Sequence, residues 1–450
     1  MPKTFQDAAI ITHGLGTEYV WIDSLCIVQD VKDDWGKEAE EMKNVYGYSQ
    51  VTIAAAIGED SRSGLFEEES SGEPSTTTTG AIACIRDSLL GDWSPSPLFT
   101  RAWVLQERLL AQRTLYFCKQ EVTFECSNHV RCQCSGVNTT VPIPDPWASM
   151  GVRMDRFVLA QDSLRHRFAD ARLRLTVYRL VRLLECRGVP REQDLWPHLS
   201  FSESSEMLEL WDEMVHHYCR RKITKLSDRL IALSGIAGLF GRTGAHGVYY
   251  AGMWQVWLVH MILWYVSIED GLVPEPPSDA DQPLAPSWSW ANIRGAWCYR
   301  RPALSTAVLA ELKQGKLHLA IRDPFGALEK GIITVEGKLA KATVHFDTPS
   351  APELPWQDRF VSQRVKLAKD SEDGQMWPDS VLEDVSTSVC SGDEVFCLAI
   401  TVDESQLPRA VHGVVLQSAG DASSPFSRIG MFRGPLVWFQ SCQKQTVVIW

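Results

Sequence analysis

The chain has no long basic run. Its 44 Lys and Arg stand against 56 Asp and Glu, a net charge of −12, so nothing concentrates the positive potential that a phosphate backbone demands, and no nucleic-acid partner is expected. A secretory leader is missing too, because MPKTFQDAAIITHGLG has no basic segment running into an apolar one. The 12 cysteines, scattered from Cys26 to Cys442, lack the spacing of a disulfide framework. A reducing, cytoplasmic setting is therefore expected, and the sequon at Asn138 carries little weight. Also absent are G-x-x-x-x-G-K-[ST], a G-x-G-x-x-G after a strand, H-E-x-x-H and G-x-S-x-G, which removes the basis for ATP use, Rossmann redox chemistry, zincin chemistry and the α/β-hydrolase mechanism. No cofactor is expected. Cys126, His129, Cys132 and Cys134 crowd together, but without a C-x-x-C knuckle or a distant partner pair they do not make a zinc site, and no metal is expected.

Long apolar runs are scarce as well. One stretch, GVYYAGMWQVWLVHMILWYVSI over 247–268, has no formally charged side chain and is long enough to span a bilayer. Gln255, His260 and Ser267 interrupt it, no Lys/Arg cluster flanks it, and Trp254, Trp257 and Trp264 sit in its middle instead of at two interfaces. It reads as a buried core helix and not as a membrane span, with His260 a satisfied core histidine.

What is present is a globular composition, 45% hydrophobic and 22% charged over 450 residues, enough for several domains. Seventeen tryptophans are an unusually large share, and rings of that size fill cores or wall apolar pockets. The opening residues alternate helix and strand. TFQDAAIITHGLG predicts a helix, YVWIDSLCIV and QVTIAAAI are apolar runs suited to strands buried on both faces, and DDWGKEAEEMKNVYGYS between them places Trp35, Ala39, Met42 and Tyr46 at helical spacing. Residues 67–80 are acidic and low in complexity, a surface excursion. LFTRAWVLQERLLAQRTLYF then predicts a helix entering the strands TLYFC and EVTFEC.

A Pro-rich connector over 137–150 leads to amphipathic helical patterns from about 151 to 265, and a second, acidic connector over 269–287 leads to PSWSWANIRGAW. Beyond 300, KLHLAI, IITVEGKLAKATVHF, EVFCLAITV, VHGVVLQS and PLVWF alternate in the manner of a β domain, with a polar, loose excursion over 366–390. The expected division is an α/β domain over 1–135, a helical domain over 136–300 and a β-rich domain over 301–450.

The densest chemistry lies in YVWIDSLCIVQD and the helix after it. Asp23 and Cys26 fall at the C-terminal end of the expected central strand, where open α/β sheets place their ligand crevice. At 100° per residue Glu38 shares the arc of Trp35 and Met42, so an inward carboxylate with a raised pKa is expected there, either a general acid or base or a structural acceptor. Cys26, between Leu25 and Ile27, reads as a buried and inert thiol. In RAWVLQERLL, Gln106 and Glu107 flank the face of Trp103 and Leu110, which suits either chemistry or a polar tie between helix and sheet. Asp23, Glu38, Gln106 and Glu107 are the candidate catalytic residues. Trp21, Trp103, Trp254, Trp257, Trp288 and Trp290 are the candidate walls of a substrate pocket, although Trp288 and Trp290 alternate in PSWSW and only one would face a given cavity.

Taken in order, YVWIDSLCIVQDVKDDWGKEAEEMKNVYGYSQVTIAAAIGEDSRSGLF, FTRAWVLQERLLAQRTLYF, KLSDRLIALSGIAGLF, APSWSWANIRG and the blocks HGVVLQ and FSRIGMFRG resemble the fungal heterokaryon-incompatibility (HET) domain family over roughly a third of the chain. The resemblance implies a divergent Toll/interleukin-receptor-like α/β layer in a filamentous fungus, associated with non-self recognition and regulated cell death. Some relatives of that fold cleave NAD with a glutamate, and Glu38 would be its nearest counterpart. The family's usual opening strand and L-S-Y-x-W-G-like block have no match here, which argues against NAD hydrolysis.

Two functional expectations follow, with NAD hydrolysis ranked behind both. The first is signalling by self-association or contact with a protein partner. The second is a repurposed scaffold, a cofactor-free cyclase or isomerase of pericyclase type in secondary metabolism, folding an apolar small molecule between tryptophans. A closed apolar pocket would favour the second, and a filled core with an exposed apolar patch the first.

Overall fold

The computed structural model describes residues 1–66, 96–118, 122–126, 129–133, 138–140, 201–241, 246–267, 272–275, 285–295, 297–303, 305, 307–320, 323–346, 365–369, 372–381, 389–404, 408–418 and 424–450. The expected excursion over 67–80 and the long amphipathic pattern over 151–200 lie outside them. The chain divides into two compact units, Met1–Pro190 and Arg191–Trp450.

In the first unit, helix α1 (Lys3–Gly14) is followed by a short helix α2 (Asp23–Cys26), helix α3 (Lys32–Tyr48), strand β1 (Thr52–Ala55) and helix α4 (Ala102–Leu110). Strands β2 (Arg113–Phe117), β3 (Val122–Cys126), β4 (His129–Cys132) and β5 (Asn138–Thr140) complete a sheet of order β1-β2-β3-β4-β5. Only β1 and β2 run parallel, with Ile53 opposite Leu115; the rest is an antiparallel meander.

Alternation along the strands gives the sheet two dressed faces. Leu115, Phe117, Ile53 and Ala55 pack with Ala8 and Ile11 of α1 and with Leu65. The opposite face carries Tyr116 and Glu125. Tyr116 donates to Glu125 at 2.7 Å, Arg108 of α4 reaches the same carboxylate at 3.3 Å, and the guanidinium lies 5.5 Å from the centre of the Phe99 ring. Two further bonds tie the α4–β2 corner to the α3–β1 corner, Gln112 to the Gly47 carbonyl at 2.9 Å and Arg113 to the Gln50 carbonyl at 3.3 Å.

Asp7 pins α1 to the chain after β1. Its buried carboxylate accepts from the Leu65 amide at 2.9 Å and pairs with Lys3. Burial alone would raise its pKa, but Lys3 and the Leu65 N–H outweigh it and hold the pKa below the usual carboxylate range. Gly64 makes the turn at φ +80, and any Cβ there would lie 2.9 Å from Asp7 Oδ2.

One expected strand does not form. Residues 19–22 of YVWIDSLCIV belong to no ladder, and 23–26 wind into α2. The backbone is satisfied locally instead: Asp23 Oδ1 takes the Ser24 amide at 2.7 Å, Asp34 Oδ2 takes the Val28 amide at 2.9 Å, and the Gln29 side chain donates to the Asp23 carbonyl at 3.2 Å. Ile27, 7% exposed, is the one fully inserted side chain of 23–28, and Cys26 is exposed instead of buried.

The second unit starts with α5 (Phe201–Cys219) and α6 (Ile231–Gly241). The described part of the apolar stretch after them is mostly buried, as expected, with Val248 and Val256 exposed, but it is not one helix. It breaks into β6 (Tyr249–Tyr250), β7 (Met253–Trp254), a 3₁₀ turn, α7 (Leu258–Met261) and β8 (Tyr265–Ser267), which pairs with β9 (Cys298–Arg300). The reason is Ala251 at φ +47 and Gly252 at φ +94, a two-residue turn with both φ positive that closes a hairpin where a helix would need negative φ. No helix among the described residues is long and apolar enough to cross a membrane.

PSWSW also departs from period-two alternation. Ser289 bonds back to the Pro286 carbonyl at 2.9 Å and Trp290–Asn292 is a 3₁₀ turn, so Trp288 and Trp290 both enter the core at 0% exposure.

The C-terminal part is β-rich, as expected. Strand β10 (Glu311–Leu319) precedes the 19-residue β11 (Leu328–Phe346), β12 (Val365–Lys369), β13 (Glu372–Pro378), β14 (Glu394–Asp403), β15 (Ala410–Gln417), β16 (Ser427–Pro435) and β17 (Lys444–Ile449). The first half of β11 pairs with β10 and β17, and its second half with β12 and β14. Continued through β13, β16 and β15, the ladder returns to β14 and closes a six-stranded antiparallel barrel.

Two expectations fail in this region. Residues 366–369 and 372–378 are not loose, because β12 and β13 turn Val365, Leu367 and Met376 into the barrel core. PLVWF is not a strand. Pro435 leads into a 3₁₀ turn over Leu436–Phe439 that places Trp438 and Phe439 against Phe432 in that core.

Candidate functional site

The first unit gathers several of the sequence-predicted residues where α2, α3 and α4 meet. Tyr46, near the end of α3, donates to the Glu107 carboxylate of α4. Loss of water raises the Glu107 pKa from 4.5 to about 7; Asp23 adds to the rise, while Arg101 and the Tyr46 bond work against it. Tyr46 is raised well above its usual range by burial first, and then by the charges of Glu107 and Asp23. Around this group the Trp21 ring stands edge-on to Tyr46 at 6.1 Å, and Trp35 edge-on to Trp103 at 6.3 Å.

Asp23, Glu107 and Trp21 therefore come together, with Trp103 on the adjoining α3–α4 contact. Gln106, one residue away, is buried at 1% exposure next to the sheet, and Glu38 is half-buried on α3. Tyr46 and Arg101 complete the group and were not among the candidates. Their signals were in the sequence: Tyr46 shares the Trp35–Met42 face, and Arg101 opens the R-A-W-V-L-Q-E-R block. A carboxyl poised to gain or lose a proton near neutrality, beside a second carboxylate and a phenol, can exchange a proton or receive a cationic group.

Beside this group the chain displays apolar side chains. Tyr19 is 84% exposed, Leu25 59%, Val28 51% and Val31 47%. These are residues that the sequence placed in or next to a buried strand. Single exposed apolar residues are ordinary, but a local run is not.

Trp254, Trp257, Trp288 and Trp290 lie in the second unit, so the six candidate wall residues do not belong to one site within a unit. Trp254 packs against Tyr249 at 5.0 Å, His246 at 5.3 Å and Trp211 at 5.5 Å; Trp257 covers His246 at 4.6 Å; Trp290 meets Tyr218 at 6.0 Å. The indole N–H groups of Trp211 and Trp290 both donate to the Gly252 carbonyl at 3.0 Å, and that of Trp264 donates to the Trp288 carbonyl at 2.9 Å. These rings are packed interior. His260 is held by Nε2 donating to the Ser305 carbonyl at 3.0 Å.

In the second unit Asp212 and Asp379 each sit in a buried ion pair. Asp212 takes Arg301 at 2.5 Å and the Tyr299 hydroxyl at 2.9 Å, and burial lifts its pKa to about 6 against both. Asp379 pairs with Arg428 at 2.7 Å, and that guanidinium lies on the Trp264 ring at 3.5 Å. Among the described residues no cluster of His, Cys, Asp and Glu is arranged to hold a metal ion. His129, Cys132 and Cys134 lie outside the residues whose side chains are described.

Residues 1–107 match the family model described as Heterokaryon incompatibility protein (HET). No curated protein and no solved structure matches the chain. The matched segment ends at Glu107, so it holds Trp21, Asp23, Tyr46, Arg101 and Glu107 and none of the tryptophan-rich second unit.

Proposed function

Because residues 1–107 carry the signature of the heterokaryon incompatibility family, we propose that the protein acts in non-self recognition of the cell-death type, and that it does so by protein interaction through this segment. The observation that carries the reading is the exposed apolar turn of 19–31. It lies inside the family-matched segment, is tied down by Asp23, Asp34 and Gln29, and shows Leu25 and Val28 to solvent. A segment that costs free energy when bare and is nonetheless held rigid suits contact with another protein. The interior packing of Trp254, Trp257, Trp288 and Trp290 supports the same reading, since those side chains are buried.

The test is expression of the full chain in a filamentous fungus with cell viability as the readout. Wild type is expected to trigger death, and the Leu25→Asp, Val28→Asp double variant is expected to lose it while keeping the wild-type thermal midpoint. Undiminished death from the folded double variant would overturn the reading.

A further inference from the structure

The 19–31 turn is asymmetric in its chemistry. Its apolar side chains, Tyr19, Val20, Leu25, Val28 and Val31, are 41–84% exposed. The charges among them are almost all of one sign: residues 18–34 contain Glu18, Asp23, Asp30, Asp33 and Asp34 against Lys32 alone, and Glu18, Asp23 and Asp30 are exposed. Asp23 additionally lies within the electrostatic reach of Glu107, where Arg101 is the cation that opposes them.

The turn is also built before anything binds. The Leu25 and Cys26 amides both return to the Ile22 carbonyl at 2.9 Å, the Val31 amide bonds to the Val28 carbonyl at 3.3 Å, and Asp34 fixes the Val28 amide at 2.9 Å. Ile27 alone anchors the centre. A preformed loop spends little ordering entropy on association.

We infer that this turn is a docking surface for a basic amphipathic segment of another protein, whose apolar side chains cover Leu25, Val28 and Val31 and whose Lys or Arg side chains answer Asp23 and Asp30. The inference rests on the interaction reading above and names its partner chemistry. Charge complementarity selects this occupant over two others. A second copy would bring the same carboxylates against one another, and like charges across an interface are costly. An anionic membrane surface would be repelled by the same rim.

Binding of a fluorescein-labelled 20-residue Lys/Leu amphipathic peptide to the full chain is the test, read by anisotropy beside a Glu/Leu peptide of identical pattern. The Lys/Leu peptide is expected to bind at least about tenfold more tightly, and its affinity to fall at least about fivefold between roughly 50 and 300 mM NaCl. Leu25→Asp is expected to weaken it at least about tenfold and the Asp23→Asn, Asp30→Asn pair at least about threefold, whereas Val256→Asp, an equally exposed valine of the second unit, leaves it unchanged. Equal binding of the two peptides, or indifference to Leu25→Asp, overturns the inference. So does concentration-dependent dimerisation that Leu25→Asp abolishes, or co-sedimentation with phosphatidylcholine/phosphatidylserine vesicles that the variant abolishes. If these arms fail while the Leu25→Asp, Val28→Asp variant still abolishes cell death, the partner chemistry is wrong and the interaction reading stands; if death is undiminished, the interaction reading itself falls.

Discussion

At the scale of single residues, the decisive groups are carboxyls placed where water is scarce. Burial, with the neighbouring charge of Asp23, favours the protonated form of Glu107 far above the usual carboxylate range, against Arg101 and the Tyr46 donor. Folding therefore takes up a proton at this site between pH 4.5 and about 7. A folded-state pKa above the unfolded value gives stability that is complete below the unfolded value and is lost as pH rises through the folded one. Glu107→Gln, which keeps an acceptor for Tyr46 without the charge, should gain thermal midpoint relative to wild type as pH climbs from about 4.5 to about 7, with the gain constant above that. Parallel midpoint curves for the two proteins would exclude the site from the pH response. Asp212 shows the same direction with a different cause of relief, since Arg301 and Tyr299 both favour its charged form and burial still wins.

At the scale of elements, short turns decide what apolar pattern alone leaves open. The Tyr249–Trp254 hairpin exists because Ala251 and Gly252 both take positive φ, and Gly252 is further constrained by Trp290, whose ring would lie 2.6 Å from an added Cβ. Gly252→Ala is expected to destabilise the protein by about 2–4 kcal/mol in chemical denaturation, combining backbone strain with a core clash. Gly392, at φ +100 with nothing within 4 Å of an added Cβ, supplies the control. Gly392→Ala should cost only about 1 kcal/mol, the strain part alone. Equal costs would show that the Trp290 contact contributes nothing. The 17–31 segment is the complementary case, because its apolar residues found no ladder and the backbone was satisfied by Asp23, Gln29 and Asp34.

At the scale of the whole molecule, closure and burial set where the chain is hardest to open. The barrel has no free edge between β11 and β14, and its interior is filled by side chains such as Val344, Leu367, Cys397, Val411 and Phe432, each at 0% exposure. Hydrogen exchange read by mass spectrometry should show the slowest amides in β14, β15 and the second half of β11, and in 231–237 of α6. Residues 17–31 should exchange faster than the barrel, because their bonds are local and exposed. Protection of 17–31 equal to that of the barrel would contradict the exposed-turn description.

Sequence by itself determined α1, α3, α4, β1 to β3 and the long C-terminal strands, since each carries its own 3.6- or 2-residue periodicity, and it singled out Asp23, Glu107, Trp21 and Trp103. Tertiary structure decided the rest. An apolar run such as 19–28 becomes a strand only where a neighbouring ladder accepts it, so no local pattern could reveal that Leu25 and Val28 face solvent. The apolar stretch at 247–268 was legible as buried, yet its path hung on the φ of two residues. The Tyr46–Glu107 bond joins α3 to α4 across 61 positions of sequence, and the barrel closes through β11 and β14 in the same way. Pairings at that separation depend on chain geometry in three dimensions, where adjacent letters carry no trace of them.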